Sequence, residues 1–119
     1  MVAVHKARRI VVLKIYRDVQ AMQGDARRVC GLIREHDADL AKQLRRAAQS
    51  VALNMAEGTA ASGGQRRQCY SVALREAREC VAAVEVAVSW GYTERDELAL
   101  DRLDKIVATL WRLTMLKAG

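Results

Sequence analysis

Apolar residues recur along the chain at steps of three, four and seven positions, which is the spacing of one face of an α-helix. In the first such stretch they are Val11, Ile15, Val19, Met22, Val29 and Ile33. The pattern predicts four helices, at about residues 8–34, 38–57, 63–90 and 94–117. The β-branched run from Ile10 to Ile15 is also compatible with a strand, which leaves the start of the first helix open.

Polar residues interrupt the apolar period between the first and second helices, at residues 35–39. Asp37 or Asp39 can cap the second helix, because a carboxylate accepts hydrogen bonds from the unpaired N–H groups of the first turn. This break contains neither Gly nor Pro, so the turn rests on polar capping alone. At the other end of the second helix, Gly58 is predicted to take the left-handed position just past the last turn.

Glycine and hydroxyl residues mark the other two breaks. Ser62, with Gln65 three residues later, fits a capping box at the start of the third helix. Gly91 is predicted to end that helix, and Thr93 is predicted to cap the fourth. Both connections are short, as they are between neighbouring antiparallel helices.

The 119 residues include no proline, which permits long uninterrupted helices. Short loops between them predict an all-α fold, an antiparallel up-down-up-down four-helix bundle, as a single domain over residues 1–119. No apolar run approaches the ~20 residues of a membrane span, and the basic start, whose apolar stretch contains Lys14, does not fit an export signal. Cys30, Cys69 and Cys80 are scattered, so we expect free thiols and a cytoplasmic protein.

The net charge is +6, from 20 Lys and Arg against 14 Asp and Glu. In the antiparallel bundle the start of the first helix, the second loop and the end of the last helix share one end, here called the basic end. Its basic residues, the candidate nucleic-acid-binding set, are Lys6, Arg8, Arg9, Lys14, Arg17, Arg66, Arg67, Arg112 and Lys117. The opposite end collects the acids Glu35, Asp37, Asp39, Glu94, Asp96, Glu97 and Asp101. A basic end suggests a phosphate-bearing or other acidic partner, although a charge excess is also typical of a solvated face.

The first and last helices carry more apolar surface than one packed face requires. We therefore expect self-association through these two helices, with Trp111 as an anchor, since large aromatic side chains dominate interface energy. The candidate interface residues are Ile10, Val12, Leu13, Trp111 and Met115. The alternative is that these residues close the core of a monomer.

The sequence lacks the residue sets that catalysis or metal binding needs. His36-Asp37 is similar to the metal-binding pair of HD-type phosphohydrolases, but only one other histidine, His5, is present. No Glu-x-x-His pair of a di-iron bundle occurs. The run of residues 63–67, GGQRR, could bind an anion at a helix start or be a flexible loop before solvated arginines, and it is not a P-loop. We expect a protein that is not an enzyme and has no cofactor, metal or small-molecule substrate.

Residues 43–58, QLRRAAQSVALNMAEG, form the most distinctive motif. They resemble the second-helix signature of the four-helix-bundle family of 23S rRNA intervening-sequence proteins, approximately Q-L-R-R-A-x-x-S-I-x-x-N-I-A-E-G. The segment AxxEAxE at residues 73–79 and the Gly91-Tyr92 turn resemble later parts of the same family. Val51 and Met55 stand where the family usually has Ile. Within the motif, we expect Asn54, Glu57 and Gly58 to have structural roles, with Glu57 anchoring the second loop through Arg66 or Arg67.

The resemblance implies a homo-oligomer, a pentamer, without catalytic residues. Related proteins include the accessory variability determinants of diversity-generating retroelements, whose pentamers bind nucleic acid and a reverse transcriptase. The leading hypothesis is therefore an oligomeric, nucleic-acid-binding accessory protein that works with a reverse transcriptase and has no membrane partner. The alternative is a protein–protein assembly module without a nucleic-acid role.

Overall fold

The computed structural model describes the backbone of residues 2–115 and the side chains of residue 12 and residues 14–115. Four helices make up the fold: α1 (Val2–Ile33), α2 (Ala38–Ala60), α3 (Gly63–Ser89) and α4 (Glu97–Met115). The described part of the chain contains no strand. The all-α prediction is therefore confirmed, and the β-branched segment at residues 10–15 is helical.

Contacts between helices define their relative directions. Gln23 of α1 donates from Nε2 to the carbonyl oxygen of Ala48 in α2 at 2.8 Å, and the Cys30 thiol donates to the carbonyl of Ala41 at 3.2 Å. Later residues of α1 therefore contact earlier residues of α2, so the two helices are antiparallel. Ion pairs of Arg28 with Asp96 and of Asp25 with Arg102 show the same reversal between α1 and α4. These registers are those of antiparallel neighbours in an elongated bundle of 51 × 23 × 19 Å.

The core follows the helical period, but on α3 and α4 several buried positions are shifted by one residue from those that the spacing favours. On α1 the predicted face from Ile15 to Ile33 is buried, while the side chain of Val11 lies outside the described residues. On α3 the buried position is Cys80, whereas Val81, the residue that the spacing favours, is only half-buried. On α4 Ile106 is buried, and Val107 is half-buried. In both helices two adjacent apolar residues compete for the core, and spacing alone does not identify which of them packs inward.

The first turn of α2 is capped by Asp37, whose Oδ1 accepts from the N–H of Leu40 at 2.9 Å. The prediction that Gly58 ends this helix was wrong, because α2 continues to Ala60. Gly58 lies inside the helix and is buried. A Cβ atom there would lie 2.5 Å from Cε1 of the Tyr70 ring and 3.2 Å from Cβ of Cys69. Glycine is required at this position because α2 and α3 approach each other closely.

The starts of α3 and α4 also differ from the prediction. Ser62 occupies the N-cap position of α3 but its side chain makes no capping hydrogen bond. The fourth helix begins at Glu97 rather than near residue 94. Its cap is Asp96, whose Oδ1 accepts from the N–H of Ala99 at 3.0 Å, whereas the Thr93 hydroxyl donates to a loop carbonyl at 3.3 Å. Asp is a stronger N-cap than Thr. The other carboxylate oxygen of Asp96 also accepts a hydrogen bond from Arg28.

The end of α3 is a Schellman motif centred on Gly91. The N–H of Tyr92 donates to the carbonyl of Ala87 at 2.9 Å, and the N–H of Gly91 donates to that of Val88 at 3.0 Å. Gly91 has a φ of 74°, the left-handed conformation that glycine adopts without steric cost. The predicted helix end at this glycine is confirmed. None of the described helices combines the length and the apolar character needed to cross a bilayer.

Candidate functional site

Five of the nine basic-end residues have described side chains: Lys14, Arg17, Arg66, Arg67 and Arg112. Lys14, Arg17 and Arg112 are exposed to solvent. Arg66 is half-buried, and its Nε donates to the carbonyls of residues 58 and 61 at 3.1 and 2.9 Å. Arg66 therefore satisfies a carbonyl in the last turns of α2 and one just past its end, and these bonds anchor the loop. The predicted side chains of Lys6, Arg8, Arg9, Ile10, Leu13 and Lys117 lie outside the described residues.

A second basic surface lies in a groove between α1 and α2, here called the arginine groove. Its volume is about 620 Å³, and it is lined by Arg27 of α1, by Arg34 and by Arg45 of α2. Arg34 directly follows the last residue of α1. The residues between these arginines are small or uncharged: Gln23, Ala26, Cys30, Gly31, Ala48 and Gln49. None of the described residues that line the groove is acidic. The three arginine side chains are exposed, and no ion pair to any of them occurs within the described part of the chain.

The groove is held together by side chains that bridge the two helices. Gln23 donates to the Ala48 carbonyl at 2.8 Å and to the Val19 carbonyl of its own helix at 3.3 Å. Burial raises the pKa of the Cys30 thiol, while the positive charges of Arg45 and Arg34 act to lower it. The Cys30 thiol therefore lies beneath the groove within the field of two of its guanidinium groups. The groove therefore carries three positive charges, with only uncharged residues between them.

Arginines pair with two of the seven acids at the end that the sequence predicted to be acidic. Arg28 pairs with Asp96, and Arg95 pairs with Glu97 at 2.5 Å. The hydrogen bond from the Ala99 N–H, with the guanidinium of Arg28, holds the pKa of the Asp96 carboxyl below its usual range. The carboxylates of this end are thus partly used in capping and pairing, rather than forming a uniformly negative surface.

Three aromatic rings stack at that same end, forming what we call the aromatic stack. The imidazole of His36 lies on the ring of Tyr92, with centroids 5.2 Å apart and planes inclined by 5°. The indole of Trp90 stacks with Tyr92 at 6.4 Å and 25°. Tyr92 packs against the hydrophobic core, whereas Trp90 is 72% exposed. The Schellman motif at Gly91 fixes the backbone on both sides of these two rings.

The predicted self-association residues fall on two surfaces. Trp111 and Met115 lie four residues apart on α4, therefore on one face of the helix, and are 48% and 63% exposed. Val12 is half-buried and lies eleven residues before Gln23, so it shares the α2-facing side of α1. Exposed aromatic and thioether side chains on one helical face are typical of protein interfaces. The strip of Trp111 and Met115 is here called the α4 strip.

The asparagine of the second-helix motif has a local structural contact. Half-buried Asn54 donates from Nδ2 to the carbonyl and hydroxyl oxygens of Ser50, at 2.9 and 3.1 Å. Glu57 is exposed on the next turn. Across the described side chains, no group of three or more His, Cys, Asp or Glu is placed to hold a metal ion.

Sequence reasoning missed both the arginine groove and the aromatic stack. Arg27 and Arg34 are seven residues apart on one face of α1, a spacing that is visible in the sequence. Placing Arg45 opposite them needs the register of α1 against α2, which the sequence does not give. His36 and Tyr92 are brought together only because the first and third loops share one end of the bundle.

Comparisons with known proteins agree with this architecture. The sequence model of a family described as 23S rRNA-intervening sequence protein matches residues 12–112. A solved structure from Bacteroides thetaiotaomicron, described as a protein with unknown function from the S23 ribosomal protein family, has a similar fold with a TM-score of 0.81. It is 16% identical, and the alignment covers 89% of this chain and 99% of that chain. At this identity the likeness shows the fold alone. No curated protein matches the chain.

Proposed function

The chain belongs to the family of 23S rRNA-intervening sequence proteins, and from this premise we propose that it is a non-catalytic accessory protein that binds nucleic acid through the arginine groove. The observation that carries the proposal is that three arginines, Arg27, Arg34 and Arg45, line one groove, and that none of the described residues lining it is acidic. Exposed guanidinium groups attract phosphates and can bond them in two places at once. The three free thiols suit a cytoplasmic location.

The groove suits an extended phosphate backbone better than a small anion. Arg27 and Arg34 are seven residues apart, which corresponds to roughly 10 Å along the helix axis. Arg45 faces them from the other wall. A chain of phosphates can contact all three groups in turn. The exposed basic-end residues Lys14, Arg17 and Arg112 extend the positive surface beyond the groove.

Self-association forms part of the proposal, and the α4 strip supports it. Removing Trp111 and Met115 from water favours association, since each is a large apolar side chain exposed on a helix. The family resemblance suggests a pentamer. Several grooves on one assembly would bind a long nucleic acid with greater avidity than one groove. A reverse transcriptase is the protein partner that the resemblance suggests.

The second candidate function is a protein assembly module without a nucleic-acid role. The α4 strip also favours this function, because an apolar strip can bind another protein chain without any basic surface. The two candidates differ in one respect: only the first requires the arginine groove to be functional.

The test is equilibrium binding to a structured RNA and to duplex DNA at ~50 mM salt, where phosphate contacts are strongest. Replacing Arg27, Arg34 and Arg45 together by Gln should weaken binding about ten-fold or more, because the triple variant loses three charged phosphate contacts. Arg46→Gln is the matched control, since Arg46 is exposed on α2 but does not line the groove. The proposal is excluded if the protein binds neither of these nucleic acids and no single-stranded oligomer either.

A companion pair of variants tests the basic end. Replacing Arg17 and Arg112 by Gln leaves the groove intact. If this pair weakens binding and the groove variant does not, the basic end is the binding surface and the groove is not. For assembly, Trp111→Ala should shift light scattering toward the 13.2 kDa of one chain. A wild-type protein that is already monomeric would contradict the assembly part of the proposal.

A further inference from the structure

The aromatic stack is unusual because it leaves a large indole in water. Trp90 is 72% exposed although Tyr92 beside it packs against the core. An exposed tryptophan that packing does not require is typical of a binding surface. Its neighbours show which chemistry the surface suits. His36 and Tyr92 lie with their rings nearly parallel, so the cluster offers flat π-faces rather than an apolar pocket.

The arginine groove and the stack come close together along the chain. Arg34 lines the groove just past the end of α1, and His36 follows it by two residues in the turn to α2. A strand that runs along the three arginines and continues beyond Arg34 would meet the rings at this turn. The neighbouring acids limit where phosphate can go. Glu35, Asp39 and Glu94 are exposed there, whereas Asp37 is used as a helix cap, and Asp96 and Glu97 are paired with arginines. Bases carry no charge, so they tolerate this environment where phosphates do not.

On these grounds we propose that the arginine groove and the aromatic stack together bind a single-stranded nucleic acid, with an unpaired base stacked on the exposed face of Trp90. The inference rests on the proposed nucleic-acid function and deepens it by naming the class of nucleic acid. In a duplex the bases are stacked on each other, and their faces are unavailable to an indole. Positive grooves combined with exposed aromatic rings are the general means of binding single strands.

The stack owes its geometry to the backbone around Gly91. Trp90 is the C-cap of α3, and Tyr92 follows the left-handed Gly91. The two stacked rings are therefore carried by the residues immediately before and after one tight turn. Two hydrogen bonds to carbonyls of α3, from the N–H groups of Gly91 and Tyr92, hold this turn. The backbone that carries the rings is therefore held in place before a base binds, which reduces the entropy lost on binding.

The test measures stacking directly through tryptophan fluorescence. The chain has two tryptophans, so Trp111→Phe leaves Trp90 as the one reporter. Because Trp111 belongs to the α4 strip, this variant is used only after light scattering shows that it assembles as the wild type does. We expect single strands of about 12 nucleotides, uridine or deoxythymidine oligomers, to quench Trp90 emission, and a duplex of the same length to leave it unchanged. Quenching by a strand of either sugar supports the proposal, because stacking depends on the base.

Affinity measurements on full-length variants separate stacking from charge. Trp90→Ala should weaken single-strand binding about ten-fold, and Trp90→Phe should restore most of it because a ring remains. Duplex binding should be the same in all three proteins. Leu98→Ala is the control: Leu98 is as exposed as Trp90, at 72%, but lies beside Asp101 and Asp104, and its loss should change affinity less than about two-fold.

The outcomes distinguish the two levels of the proposal. If the wild-type protein binds neither single strands nor duplex, the proposed function fails and this inference with it. If it binds both equally and Trp90→Ala is unaffected, the inference is overturned while nucleic-acid binding stands. If Trp90→Ala instead changes the size of the assembly and leaves single-strand affinity per chain unchanged, the stack is a contact between copies and the inference is again overturned.

Discussion

Replacing Gly58 by Ala tests the closest contact in the bundle. Gly58 lies in the last turns of α2, with no Cβ between its backbone and the ring of Tyr70. An added Cβ would lie 2.5 Å from Cε1 and 2.7 Å from Cδ1 of that ring. Normal carbon–carbon contacts are ~3.5–4.0 Å, so the ring or the helix has to move by about 1 Å. Tyr70 is only 4% exposed and has little room to move.

Two opposing effects set the size of the change. Alanine stabilises a helix by up to about 1 kcal/mol relative to glycine. Overpacking of a well-packed core costs about 1–3 kcal/mol. The steric cost exceeds the helical gain, because the clash involves two ring atoms and also Cys69. We expect Gly58→Ala to lower the free energy of unfolding by about 1–2 kcal/mol, or Tm by roughly 4–8 °C.

The measurement is thermal unfolding at fixed protein concentration, with Gly24→Ala as control. Gly24 is also a helical glycine, but nothing lies within 4 Å of the position that its Cβ atom would take, so this variant should be stabilised by up to about 1 kcal/mol. A Gly58→Ala, Tyr70→Leu double variant should lose less than the sum of its single changes, because the smaller side chain relieves the clash. If Gly58→Ala is as stable as Gly24→Ala, the close approach of α2 and α3 is refuted.

The helix caps and the thiols can be tested in the same way. The Ala99 N–H and Arg28 lower the pKa of Asp96. The ionised carboxylate therefore stabilises the folded state fully above the unfolded pKa of about 3.9, and this stabilisation is lost as the pH falls through the lower folded pKa. Urea unfolding should therefore show Asp96→Asn less stable than wild type at pH 7, with the difference shrinking below about pH 4; a constant difference would contradict this. Asp37→Ala should lose about 1 kcal/mol by removing the cap on the N–H of Leu40, and an unchanged Tm would show that the cap is unimportant. Burial raises the pKa of Cys80 to about 12. In the native state an alkylating reagent at pH 8 should therefore leave Cys80 unmodified, while the half-buried Cys30 and Cys69 react faster. Equal rates at all three thiols would contradict the burial of Cys80.

The helices and most of the core could be predicted from the sequence because the apolar period is strong and no proline interrupts it. The exact inward residue was missed where two apolar neighbours compete, as at Cys80 and Val81. The role of Gly58 was also missed. A glycine near a helix end fits a left-handed cap, and only the position of Tyr70 shows that the close approach of α3 is the real constraint.

The candidate site depends on features that one sequence does not encode locally. The basic end follows from counting charges at each end of the bundle, a method that ignores the faces of the helices. Arg27 and Arg45 meet because α1 and α2 pair in a particular register. The stack of His36 and Tyr92 joins two loops that are far apart in sequence. Such long-range juxtapositions require the three-dimensional structure.

The most direct test of the central claim is the salt dependence of single-strand binding by the wild-type protein and by the variant with Gln at positions 27, 34 and 45. Each phosphate contact contributes about −0.7 to the slope of log K against log salt concentration. If all three arginines of the groove contact phosphates, the variant slope should be shallower by about 2. Equal slopes for the two proteins would show that the groove does not hold the phosphate backbone, and would contradict the proposed mode of binding.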